Sequence, residues 1–263
     1  MAQRRIAIVT GGSSGIGAAL ARRLSRAGWL CVLIARGEER LRAVAAEIGA
    51  EYERCDVADR AAVERTAGSI TARHPAVQLL VNGAGIPGRT GFLDADPDRI
   101  EEVLRINYLG GVWCVRALLP ALEAGAPAHI VNIVSVAGSV AFPPSGPYAA
   151  SKHAQLAFSR ATAAELAGRG VSVHTVSPGF VESEGFPQRA LLRNRWLRRT
   201  VVEPERVAEH VLQVIERRRR ETFVPGWYRA AALAQAIAPA TVGRVLGRYG
   251  SGHRREDEAQ RPR

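Results

Sequence analysis

Lysine is almost missing from this chain: position 152 holds the only one, against 35 arginines. Arginine replaces lysine on most surfaces, but not where a compact ammonium must act as a point charge in a tight site. A lone lysine at 152 therefore marks a position with a chemical demand. Cysteine is scarce too. Cys31, Cys55 and Cys114 are odd in number, lack C-x-x-C spacing and sit in apolar runs. That excludes a disulfide framework and a metal knuckle, and leads us to expect buried, reduced thiols in a cytoplasmic compartment. No stretch of about 20 uninterrupted apolar residues offers a membrane span. The run Ile6 to Val9 is too short for a secretion signal and leads straight into a glycine loop. His153 and His174 have no partner at ligand spacing, so both read as structural and no metal is expected.

Acidic residues are few: 25 against 36 basic ones, a net charge of +11. Much of the imbalance lies late, where residues 185–263 hold 17 arginines and eight Asp plus Glu, a surplus of nine. Charge is the sole feature that points to nucleic acid, and without a recognition motif that reading is set aside. A solvated basic surface is the simpler account, with an anionic membrane or an acidic partner as the alternative.

What is present is a regular alternation of short β-rich runs and longer helical ones. Strands are expected at 5–10, 31–35, 51–55, 78–82, 128–134, 171–176 and 222–225. Helices are expected from the loop at 11–17 to 27, and at 38–48, 59–73, 98–122, 147–168 and 204–218. Such alternation implies a parallel sheet covered on both faces, wound right-handed into a doubly wound α/β fold of the Rossmann type. The 263 residues, 47% of them hydrophobic, suit one such domain. We expect it over residues 1–226, followed by a helical extension at 227–247 and a disordered tail at 248–263.

Between the first strand and first helix lies Thr10-Gly11-Gly12-Ser13-Ser14-Gly15-Ile16-Gly17. Glycines there let the backbone approach a pyrophosphate, and the helix start offers free N–H groups and a favourable dipole. The spacing is G-x-x-x-G-x-G. It resembles that of the short-chain dehydrogenase/reductase family, and further motifs match that family in the same order. Asp56-Val57 follows the third strand. Asn82-Gly83-Ala84-Gly85 follows the fourth, with Gly83 where the family has a second Asn. Asn107 lies in the long helix, Ser135 ends the fifth strand, Tyr148-x-x-x-Lys152 opens the next helix, and Pro178-Gly179 follows the sixth strand. The resemblance spans roughly residues 5–225.

The resemblance implies an oxidoreductase moving a hydride between a nicotinamide dinucleotide and a carbonyl or secondary alcohol. The implied cofactor contacts are Gly11, Ser13, Ser14, Gly15, Ile16 and Gly17 at the phosphates, and Asp56 and Val57 at the adenine. Asn82, Ala84, Gly85, Tyr148, Lys152, Pro178, Gly179, Val181 and Ser183 complete the set. At the end of the second strand an acidic residue would favour NAD. This chain has Ala35 there and then Arg36, whose guanidinium suits a 2′-phosphate. NADP is therefore expected over NAD, with Arg5 or Arg40 as further candidates to neutralise the phosphate. Catalysis is assigned to Asn107, Ser135, Tyr148 and Lys152. A nearby ammonium can acidify a phenol, and a spacing of four puts Tyr148 and Lys152 on one helix face. Ser135 polarises the carbonyl, with Ser139 as a close alternative. By resemblance, Asn107 holds a water that links Lys152 to solvent.

The segment after Ser183 carries Phe186, Leu191, Leu192, Trp196 and Leu197 among arginines. These read equally as a pocket for an apolar, lipid-like or acyl ketone and as packing within a lid. Trp227 to Leu246, with Arg229, Arg244 and Arg248, reads first as a helix packing at the pocket mouth or on another subunit, and second as a peripheral membrane contact. Ala149, Ala150, Ala154 and Ala157 suit close helix packing, and the family habit implies a homodimer or homotetramer. The competing function is a catalytically silent dinucleotide sensor on the same fold.

Overall fold

The computed structural model describes residues 4–88, 90–186, 188, 192 and 197–247. In chain order the first half comprises β1 (Ile6–Thr10), α1 (Gly15–Arg26), β2 (Leu30–Ala35), α2 (Glu38–Ile48), β3 (Glu51–Arg54), α3 (Arg60–Arg73), β4 (Leu79–Asn82), α4 (Pro97–Leu104) and α5 (Gly110–Ala124). Then follow β5 (Ala128–Ile133), α6 (Gly146–Glu165), β6 (Val171–Pro178), β7 (Phe180–Val181), β8 (Val201–Val202), α7 (Pro204–Glu216), β9 (Glu221–Val224) and α8 (Tyr228–Ile237). A last helix, α9 (Pro239–Gly247), meets α8 at a bend of 116°.

Seven parallel strands form one sheet in the order β3-β2-β1-β4-β5-β6-β9. This is the doubly wound Rossmann-type sheet the alternation implied. Side chains alternate across it as the two-residue period requires. Ala7, Val9, Cys31, Leu33, Leu79 and Val81 point into one core with α1, α2 and α7. Ile6, Ile8, Val32, Ile34 and Leu80 point into the other, against α3 and α5. Burial on both faces explains why the strands read as continuous apolar runs. Chain order reverses between β1 and β4, and beyond the carboxyl ends of those strands a doubly wound sheet opens its crevice.

Several boundaries differ from the sequence expectation. The long helix at 98–122 is two α-helices joined by a π turn at Arg105–Leu109, with Asn107 at its centre. The expected third strand stops at Arg54, so Cys55 lies just past it, though still buried. The helix carrying Tyr148 begins at Gly146 and ends at Glu165, short of Gly168. Past β6, β8 pairs with β7 as a separate two-stranded ribbon, a pairing too short to show a period. The expected tail at 248–263 lies outside the described residues.

Candidate active site

The cleft begins with Thr10. Its hydroxyl donates to the Val81 carbonyl at 3.2 Å and accepts from the N–H groups of Gly83 (3.1 Å) and Ala84 (3.2 Å). This clamps the loop after β1 to the loop after β4. The two backbones then touch: a Cβ on Gly11, whose φ is +71°, would lie 2.8 Å from the Gly83 carbonyl oxygen. Conversely, a Cβ on Gly83 would lie 2.9 Å from the Thr10 carbonyl oxygen. A side chain at Gly83, where the family has its second Asn, would need these two loops to move slightly apart. Gly17 is tighter still, its missing Cβ 2.2 Å from the Gly11 carbonyl oxygen. Backbone cannot yield as a flexible side chain can. Gly17→Ala is expected to cost about 3 kcal/mol, at the upper end for overpacking, and to lower the melting temperature by roughly 10 °C. A melting curve within a degree or two of the parent would contradict this packing.

Beyond this cradle runs one cleft of about 610 Å³. At one end are Arg36, Arg40, Asp56 and Val57. Along its floor lie Gly11 and Ser13 to Gly17, with Ala84 and Gly85, and at the other end are Ser135, Tyr148 and Lys152. Pro178, Gly179, Val181 and Ser183 form the opposite wall. A dinucleotide fits this arrangement on the protein's own features. Ser14, the residue capping α1, makes no side-chain cap bond, and the first turn of α1 holds no acid. The N–H groups there remain available to phosphate, and the glycines leave room for its approach.

Of the residues expected in the site, Asn82 and Asn107 do not line the cleft. Asn82 is buried and donates its Nδ2 to Asn132 Oδ1 at 2.8 Å. Asn132 donates to Ser159 Oγ at 2.8 Å, and Ser159 meets Thr175 Oγ1 at 2.7 Å. The chain of bonds crosses β4, β5, α6 and β6, so the Asn82 amide helps position α6. Asn107 Oδ1 accepts from Ile86 N–H at 2.8 Å, and its Nδ2 donates to the Ile86 carbonyl and Ser151 Oγ, both at 3.0 Å. Both amide protons are thus committed. The side chain pins the loop after β4 to α6, and no direct bond reaches Lys152.

Ser135 Oγ accepts from the Ala137 N–H at 3.1 Å and shares the cleft wall with the Tyr148 phenol. Ser139 stands off the cleft wall. Lys152 is only 4% exposed, and its Nζ donates to Gln155 Oε1 at 2.8 Å and to the Ile133 carbonyl at 3.0 Å. It lies 5.8 Å from the centre of the Tyr148 ring. Burial pushes the phenol up to about 12, against which the Ser135 hydrogen bond works downward. Burial also brings the ammonium down to about 7. The expected acidification of Tyr148 by Lys152 is therefore not supplied by the protein alone: desolvation penalises both charged forms and outweighs their attraction at this separation. At neutral pH the phenol keeps its proton.

Arg36 lies between two carboxylates, Asp56 at 3.7 Å and Glu102 at 3.9 Å. Arg40 pairs with Glu184 across the cleft. Arg5 stacks on Trp29, 4.2 Å from the ring centre. That places it at the opposite end of β1 and removes it as a phosphate contact. Phe186 packs 5.9 Å from Tyr148, and Phe142 meets Phe180 edge-on at 6.2 Å. These three aromatics line the catalytic end together with Gln188. Leu192 is 43% exposed, while Leu191 and Trp196 lie outside the described residues.

Three contributions escaped sequence reading. Gln155, one helical turn from Lys152, holds its ammonium. The Asn132–Ser159–Thr175 bonds are signalled only by polar residues interrupting apolar runs. Tyr228, from the C-terminal extension, fills the space left by Gly179, where a Cβ would lie 2.0 Å from its ring. The two histidines serve structure, as expected. His174 bonds His129 (2.9 Å) and the Arg219 carbonyl (2.6 Å), and His153 bonds the Ala149 carbonyl. No group of three or more metal-ligating side chains occurs among the described residues.

Known proteins match this arrangement over most of its length. The model of the short chain dehydrogenase family matches residues 5–190. "Dehydrogenase/reductase SDR family member 7B" of Danio rerio is 30% identical over 263 residues, covering 93% of this chain and 85% of the relative. A short chain dehydrogenase/reductase from Burkholderia phymatum, solved with NAD, superposes with a TM-score of 0.79 at 27% identity, covering 89% of this chain and 93% of that one. A point variant of actinorhodin polyketide ketoreductase, solved with NADPH, superposes with a TM-score of 0.78 at 31% identity, covering 87% of this chain and 99% of the other. With a nicotinamide dinucleotide bound in such neighbours and a fitting cleft here, this chain belongs to the short-chain dehydrogenase family of oxidoreductases.

Proposed function

We propose that the protein reduces an apolar ketone with NADPH, Tyr148 acting as general acid. The observation that carries this reading is the cleft itself, which brings Ser135, Tyr148 and Lys152 together at one end of a glycine-lined dinucleotide cradle. The dinucleotide supplies the hydride. Ser135 donates to the carbonyl oxygen and steadies the charge that develops on it. Tyr148 passes its proton to that oxygen, which the neutral phenol is ready to do in the reductive direction. In its ammonium form Lys152 commits two of three donors to Gln155 and Ile133, which leaves one for a ribose hydroxyl. Asn107 acts at one remove, keeping the loop after β4 and the start of α6 in register.

The preference for NADPH rests on Arg36 and Arg40 at the far end of the cleft, with Ala35 in place of an acid. Glu184 holds Arg40, so a 2′-phosphate competes with that carboxylate. Replacing both arginines by Ala is expected to lower kcat/KM for NADPH about 10- to 100-fold, the range for losing one or two charge-assisted phosphate contacts. Turnover with NADH should stay within about threefold. Glu184→Gln should lower KM for NADPH and leave that for NADH unchanged. Equal losses with both cofactors would overturn the assignment.

The apolar substrate is supported by Phe142, Phe180 and Phe186 around Tyr148. The direct test follows absorbance of the reduced nicotinamide across a ketone series of increasing chain length. Rising kcat/KM with length supports the reading, and activity confined to small polar ketones sinks it.

A further inference from the structure

The C-terminal helices are apolar, and beyond a small cluster in which Tyr228, Ala231, Val242 and Leu246 pack with Val136 and Val140 they leave apolar side chains in solvent. Between Gly226 and Gly247 Tyr228 is the only buried residue, while Trp227, Leu233, Ile237 and Val245 are about half exposed or more. From Thr222 to Arg255 the sequence has no acidic residue and five arginines. Beside α8 a second groove, of about 920 Å³, runs between α7 and the edge strand β9. Arg206, Arg219, Arg220 and Arg229 line it, and none forms an ion pair among the described residues. Its two carboxylates are engaged elsewhere, Glu209 with Arg23 and Glu221 with Arg160. Two buried polar atoms on its walls, His210 Nε2 and Thr222 Oγ1, have no partner among the described residues.

We propose that this face docks the protein on an anionic phospholipid surface, with headgroup phosphates in the arginine groove and α8–α9 lying in the interface. The geometry joins the two features. Arg229, Leu233 and Ile237 follow at i, i+4 and i+8, so the helix stripe that enters the groove continues as exposed apolar side chains. An apolar face bordered by arginines is the pattern of an interfacial helix. Among the described residues no single helix is long and apolar enough to cross a membrane. A second copy docking this patch on itself would set four guanidinium groups against four, an unfavourable pairing. The inference is independent of the catalytic reading, because none of these residues lines the dinucleotide cleft.

The test is sedimentation with phosphatidylcholine vesicles, with and without phosphatidylserine. The full chain should bind the anionic vesicles, bind neutral ones at least tenfold more weakly, and release as salt rises. Arg219→Gln with Arg229→Gln should weaken binding about 10- to 30-fold. Leu233→Glu with Ile237→Glu should abolish it. All four sites are exposed, so the melting temperature and the turnover of a soluble ketone should be unchanged. Equal binding to both vesicle types, no binding, or arginine variants that bind like the parent would overturn the proposal. So would protection of the groove by inorganic phosphate without vesicle binding. If Leu233→Glu with Ile237→Glu instead turned a stable dimer into a monomer, the face would belong to a second copy.

Discussion

Tyr148→Phe is expected to reduce kcat about 10²- to 10⁴-fold, the range supplied by a positioned general acid, with NADPH affinity within about threefold of the parent. The substitution removes one oxygen from the cleft wall and leaves the ring that packs against Phe186. Ser135 keeps the Ala137 N–H, so the stability cost should be about 1 kcal/mol or less. Single-turnover kinetics separate the effects: hydride transfer slows and cofactor binding does not. A dinucleotide sensor on the same fold would keep its function in this variant. Retention of most ketone turnover in Tyr148→Phe would remove the proton role from this residue.

Lys152→Met should abolish turnover and also change how stability depends on pH. The folded chain lowers the ammonium from an ordinary value near 10.5 to about 7. Between these values the unfolded chain holds a proton that the folded chain has released. Stability from this group therefore rises with pH through that window and is lost as pH falls toward 7. The slope is at most about 1.4 kcal/mol per pH unit. Tyr148 acts oppositely and only at higher pH, since the folded phenol keeps its proton up to about 12. Urea unfolding of parent and Lys152→Met at about pH 7.5 and about pH 8.5 isolates the lysine, because other groups cancel in the difference. The parent should gain about 1 kcal/mol on the variant over that unit. A flat difference would mean that Gln155 and Ile133 keep the ammonium charged in place.

Residues that act through local geometry were legible in the sequence. Gly11, Gly15 and Gly17 sit where the backbone turns and packs, and a one-dimensional spacing records that. The four-residue interval of Tyr148 and Lys152 needs only a helix. Alternating apolar runs read as a doubly wound sheet because burial on both faces leaves that imprint strand by strand. Asn82 and Asn107 show where local reading stops. Both belong to motifs that match the family, yet each spends its amide on partners 21 to 50 residues away, which spacing along a chain does not reveal. Arg5 looked equivalent to Arg40 in charge, but a parallel strand put it at the wrong end of the sheet.

The ionisation of the catalytic pair is the sharpest case. Sequence names the phenol and the ammonium, but protonation depends on how much water the fold removes and on which charges lie close by, and both are properties of packing. Burial opposes the expected acidification and keeps the phenol in its protonated form.

From sequence alone came the doubly wound class, the dinucleotide loop, the single lysine and the Ser135, Tyr148 and Lys152 set that meets in the cleft, because each follows from neighbours along the chain. Tertiary structure decided which motif residues face the cleft, that Gln155 and Tyr228 support it, and that a basic groove adjoins an exposed apolar helix. Those outcomes depend on residues far apart in sequence being brought together, and on the solvent excluded when they meet.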